Sequence, residues 1–336
     1  MIFLRNTYTF HELRDTVEQP RVSLLKLHNF DQYAAREMMC LKRTYQIETP
    51  PEPAMDWEIY QQMMVSGWDE LLNRNPGPTE KEVQRFLEEY PAMVPGAFNL
   101  MGNRSGHYPW LCGLISQPIL PSYNYHVPDF MWLALNSEVV EPVLIEIEEP
   151  GKSWFTKSGQ PTATLTQALN QISQWKVWFN EPHNVEAFKA FYGLNYAMLD
   201  GRDFKPSYLL VYGRREEANR SPYFTKLRSH LLLPPDVKIM TYDRLAPDRN
   251  ADQLVCMNVR KSDGKVIFET ISVPATIKWS PSLAKERSQL TGIEFAIDSN
   301  KHMSQTRKTF LKSRLPYWNE WSKTSDRGII SSADAE

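Results

Sequence analysis

Between Thr79 and Leu245 the chain changes its apolar period several times, and this order of elements limits the possible folds more than any other feature. A Thr79-Glu-Lys-Glu82 capping-box pattern opens a helix over 80–90, with Val83, Phe86 and Leu87 facing inward. Enrichment in β-branched and aromatic residues then predicts three strands, roughly 114–120, 127–135 and 138–148. A long helix over 161–179 follows, carrying Leu165, Leu169, Ile172 and Phe179 on one face. A strand over 208–212, a helix over 220–232 and a strand over 237–242 complete the series. Helix, three strands, helix, strand, helix, strand implies an α/β fold, a mixed sheet with flanking helices.

The flanks read differently. Residues 22–27 suit a strand and 30–45 a helix, before Pro50, Pro51 and Pro53 break the chain. Asp56 is placed to cap a helix whose Trp57, Tyr60, Met64, Trp68 and Leu71 share a face. Asn75-Pro76-Gly77-Pro78 ends it and marks the boundary between an N-terminal accessory domain, 1–75, and a core domain, 76–246. Beyond Pro247, two strands over 253–260 and 265–273 flank the turn Ser262-Asp263-Gly264. An amphipathic helix over 304–323, interrupted at Pro316, completes a C-terminal extension, 247–324. A small, polar tail, 325–336, is expected to be disordered.

Composition excludes more than it selects. Hydrophobic residues make up 42% and charged residues 23%, an ordinary globular balance. The net charge of -2 gives no global footprint for nucleic acid, so any such surface must be local. Cys40, Cys112 and Cys256 form no CxxC pair, which argues against a zinc ribbon and suits free thiols in a reducing cytoplasm. The first residues turn polar too early for a signal peptide, and no run reaches the ~18 apolar residues of a membrane span. No Walker A loop and no HExxH pair is present.

The chemistry concentrates in Pro128-Asp129-Phe130 and in Ile145-Glu146-Ile147-Glu148-Glu149-Pro150. On adjacent antiparallel strands, Glu146 and Glu148 project from one face and Asp129 meets them across the hairpin. Carboxylates crowded on a strand of Val, Leu and Ile repel one another unless a cation neutralises them. Oxygen-rich clusters suit Mg2+ or Mn2+, which lower the pKa of a bound water and stabilise charge at a phosphodiester. The bland alternative is a solvated strand edge behind a Pro-Asp turn.

Several segments, in order, resemble the nuclease domain of the Shedu anti-phage defence family, of the PD-(D/E)xK class. Glu82-Val-Gln-Arg-Phe86-Leu87-Glu-Glu-Tyr90-Pro91 resembles its opening helix, and Pro128-Asp129-Phe130 its first acidic motif. Glu146-Ile-Glu148-Glu-Pro150 resembles its E-I-K-x-P strand, and Ala168-Leu-Asn-Gln171-Ile-Ser-Gln-Trp175 its Gln-bearing helix. Pro206 to Arg214 and Thr241 to Leu245 resemble its closing strands. The resemblance spans about 79–246 and implies a restriction-endonuclease-like fold, DNA cleavage in defence against phage, and a homo-oligomer, with a tetramer as the candidate order. It implies that Asp129 and Glu146 hold the metal with the Ile147 carbonyl, and that Gln171 lies near the metal or the DNA backbone. Glu148 stands where the family carries Lys. An ionised Glu donates no hydrogen bond, so here it would bind a second metal or accept a proton.

Glu82 has two readings, capping-box partner or outer metal ligand. Lys152 and Lys157 lie downstream as candidates for a displaced cation or for DNA contact. Basic residues cluster over 202–230, including Arg214 and Arg215, and over 301–314, including Lys308 and Lys312. Each cluster is a candidate phosphate surface, against the commoner meaning of a charge run, a solvated helix face. Two rival functions remain open at this point: a catalytically inactive DNA-binding or DNA-end-sensing module, and a scaffold without nucleic-acid activity.

Overall fold

The computed structural model describes residues 48–102, 104–122, 127–194, 201–218, 220–262, 264–278 and 290–324. The strand and helix expected over 22–45, Cys40 and the polar tail lie outside the described residues.

The helices are α1 (Trp57–Asn73), α2 (Glu80–Glu89), α3 (Ala163–Phe179), α4 (Pro182–Phe191), α5 (Arg215–Ala218), α6 (Pro222–Ser229), α7 (Ile293–Ser299) and α8 (Gln305–Thr324). The strands are β1 (Gly113–Ser116), β2 (Phe130–Leu135), β3 (Val139–Ile147), β4 (Asp203–Phe204), β5 (Ser207–Val211), β6 (Val237–Met240), β7 (Val255–Ser262), β8 (Lys265–Ser272) and β9 (Leu290–Thr291). Among the described residues they form one mixed sheet in the order β6-β5-β3-β2-β1-β7-β8-β9, with β4 added beside β3. The α/β architecture with flanking helices is therefore present.

β3 lies at the centre. It pairs antiparallel with β2 and parallel with β5. Every residue of β3 except Val139 is buried, which its near-continuous apolar sequence anticipates. The second half of the chain extends this sheet: β7 pairs in parallel with β1, and β8 folds back on β7 as a hairpin. α1 joins the same hydrophobic cluster, with Trp68 packed against Phe86 and Tyr242.

Local chemistry explains the ends of α1 and α2 differently. Thr79 and Glu82 form a complete capping box on α2, whereas Asp56 occupies the cap position of α1 without a side-chain hydrogen bond. Two sequence expectations need correction. The sequence pattern places no helix at 182–191, yet α4 forms there, opened by Pro182 and held by the fully buried Phe188. α8 also runs through Pro316 without a break. Pro316 lies on the exposed side of the helix, where water can satisfy the carbonyl that a missing N–H leaves without its helical donor.

Candidate active site

Strand register brings the two acidic motifs together. Phe130 pairs with Ile145, so the next pair outward sets Asp129 opposite Glu146 on the same sheet face. Glu148 follows on that face two residues later. The Asp129 carboxylate accepts a hydrogen bond from the Ile147 N–H at 2.8 Å, which locks the end of β2 to the end of β3.

β3 buries two glutamates, and their surroundings differ. Glu141, on the opposite face, accepts from the Asn99 amide at 2.7 Å, the Ser207 hydroxyl at 2.7 Å, and the Leu100 and Met101 N–H groups at 3.3 Å each. Its charge is spent inside the structure. Glu146 is 7% exposed, and its Oε2 is buried without a hydrogen-bond partner. A buried carboxylate oxygen left unpaired is costly, so it needs a cause outside ordinary packing.

α3 covers this face. Thr164 near its start bonds the Tyr212 hydroxyl at 2.7 Å, and Lys176 near its end lies over the Tyr208 ring. Gln171 lies on α3 between these two contacts, and Leu210, the register partner of Glu146, lies between Tyr208 and Tyr212 on β5. The Gln171 Oε1 is also buried without a partner. Two orphaned oxygens therefore occur here, one on β3 and one on the helix that covers its face.

The electrostatics agree. Burial pushes Asp129 up to about 7, against the Ile147 hydrogen bond, and the like charges of Glu80, Glu148 and Glu88 add to the rise. Burial first, then Asp129, Glu148 and Glu80, hold Glu146 well above the usual carboxylate range. Glu80, the first residue of α2, is itself raised by burial and by Glu148. Lys152 supplies the opposing positive charge: its ammonium pairs with the Glu148 carboxylate.

Among the described residues no three His, Cys, Asp or Glu side chains stand ready to hold a metal ion. Asp129 is engaged by Ile147 and Glu148 by Lys152, so the three carboxylates do not form a preassembled ligand triad. The chemistry of the donors nonetheless fits a hard cation. The site offers carboxylate and amide oxygens, two of them buried and unsatisfied.

The other candidates separate clearly. Glu82 is held by Thr79 and by Arg74, at 2.7 Å, which lower its pKa to about 2. Glu80 takes the place expected of Glu82 as the helix acid facing the cluster; its position one residue after the cap was the signal available. Arg214 clamps α1 to the end of β6, donating to Asp243 and to the Leu72 carbonyl. Arg215 is exposed, though its backbone N–H also bonds Asp243. Lys157 is exposed in the loop after β3. Lys308 donates to the Asp298 carbonyl and Lys312 pairs with the Asp298 carboxylate at 2.7 Å, while Arg307 and Arg314 beside them are buried. Much of the basic run over 301–314 is thus engaged within the chain.

Gly213 fixes the turn that carries Lys152. Its φ is +63°, and a Cβ there would lie 2.7 Å from the Trp154 Nε1 and 2.9 Å from the Lys152 carbonyl. Gly213→Ala should therefore lower stability by roughly 1–3 kcal/mol in urea unfolding. A variant as stable as wild type would show that this contact relaxes freely.

The family model described as Shedu protein SduA, C-terminal, matches residues 77–246. No curated protein matches the chain. Among the described residues no helix is long and apolar enough to cross a membrane.

Proposed function

The chain belongs to the Shedu family, and from that premise we propose that it is a metal-dependent DNA endonuclease acting in anti-phage defence. The observation that carries this reading is Glu146, buried on β3 with an unpaired carboxylate oxygen while Glu141 on the same strand is fully bonded. In this reading Asp129 and Glu146 hold Mg2+ or Mn2+ with the Ile147 carbonyl. A bound divalent cation supplies a water of lowered pKa and neutralises charge at the phosphodiester. Glu148 accepts the proton or binds a second cation, Gln171 orients the water or the phosphate through its amide, and Lys157 and Arg215 contact the DNA backbone. The assembly is a homo-oligomer.

Supercoiled plasmid should be nicked or linearised with Mg2+ or Mn2+ and left intact with chelator. Binding of DNA without cleavage in either metal would select the second reading, a DNA-binding module without catalysis. The feature that favours that alternative is Glu148 where the family motif carries Lys.

A further inference from the structure

Position 148 lacks the motif's ammonium group, yet an ammonium group is present beside it. Lys152 lies one turn of loop after β3, with its N–H bonded to the Glu149 carbonyl at 3.0 Å. The backbone there is anchored: the Lys152 carbonyl lies against Gly213, and Trp154, two residues on, is buried. The side chain is not anchored in the same way. It is 29% exposed, whereas its partner Glu148 is 12% exposed, so the ammonium stands at the boundary between the acids and water. Its charge also acts on Glu146 and Glu80.

Resting on the nuclease reading above, we propose that Lys152 is an exchangeable cation: it neutralises Glu148 while the carboxylates hold no divalent ion, and turns to the substrate phosphate when one is bound. A divalent cation held beside Asp129 and Glu146 would compete with the Lys152 ammonium for the Glu148 carboxylate and would repel that ammonium. A lysine on a flexible four-carbon stem can change partners while its Cα stays fixed. The phosphodiester brings the anion that the released ammonium lacks. The charge that the family places on the strand at 148 is then supplied from the following loop, and Glu148 becomes free to act as a ligand or base.

The two failures can be told apart by measuring Mn2+ binding calorimetrically on the full chain, with cleavage assayed in parallel. Wild type, Lys152→Met and Lys152→Arg are compared, each shown to be folded by its thermal melt. Lys152→Met should bind Mn2+ about tenfold or more tightly, since a competing positive charge is gone, and should lose most of its cleavage. Lys152→Arg should bind Mn2+ as wild type does. Equal Mn2+ affinity of wild type and Lys152→Met would overturn the exchange and leave the metal reading standing. Tighter binding by Lys152→Arg, matching the Met variant, would overturn it too, because charge would not be the cause. Tighter binding with unchanged cleavage in Lys152→Met would remove the phosphate-facing role. No Mn2+ binding by either wild type or Lys152→Met would overturn the site's metal reading, and this inference with it.

Discussion

Asp129→Asn and Glu146→Gln should each reduce plasmid cleavage by roughly a hundredfold or more while leaving a folded protein that still binds DNA. The two changes keep size and shape, so the packing of β2 against β3 is preserved. The carboxamide introduced by Asp129→Asn retains an oxygen for the Ile147 N–H, which holds the strand ends together. What each variant loses is a negative charge in a volume already shared with Glu80 and Glu148. On the proposed reading, phosphate contacts from Lys157 and Arg215 dominate DNA affinity and are untouched by these changes, so gel-shift affinity should change little. The control is Glu141→Gln on the same strand: it disturbs four hydrogen-bonded groups and should affect folding before it affects chemistry. Cleavage at the wild-type rate by both Asp129→Asn and Glu146→Gln would sink the assigned site.

Much of the fold was legible because short-range rules decided it. The capping box at Thr79 and Glu82 needs only four residues, and it forms as the sequence indicates. Strand alternation set Glu146 and Glu148 on one face, and the β2–β3 hairpin carried Asp129 to them. What stayed hidden depends on long-range docking. The sequence pointed to Glu82, as cap partner or outer ligand, and only the placement of α2 against the sheet brings the charge of Glu80 to the acidic cluster. Glu141 looks like Glu146 in the sequence until Asn99 and Ser207 arrive from distant segments to satisfy it. The basic run over 301–314 reads as a phosphate surface, yet Arg307 and Arg314 are buried and Lys312 meets Asp298. The parallel pairing of β7 with β1 joins segments more than a hundred residues apart, which no local pattern encodes.

The second large effect is on stability, and it depends on pH and metal. Asp129 would ionise at its ordinary 3.8 in the unfolded chain but at about 7 when folded. Glu146 is likewise raised well above its ordinary value. A raised acid binds more protons in the native state, so its contribution to stability is intact below the unfolded pKa and is lost as pH rises through the folded one. For Asp129 that window runs from about pH 4 to 7, and Glu146 extends it upward. Other carboxylates slope the opposite way: Asp243, lowered despite its burial by the Arg215 N–H and the Arg214 guanidinium, stabilises the fold more as pH rises. The signal must therefore be read as a difference between wild type and the double variant Asp129→Asn with Glu146→Gln. Without metal, the double variant should be about as stable as wild type at pH 4 and more stable by roughly 4 kcal/mol or more at pH 8. Adding Mn2+ at pH 8 should raise wild-type stability and leave the double variant nearly unmoved, because a ligand stabilises only the form that binds it. Urea unfolding at the two pH values, with and without Mn2+, gives all four numbers. A difference that is flat from pH 4 to 8 would show that the crowded carboxylates carry no strain, and the case for a cation at Glu146 would lose its physical basis.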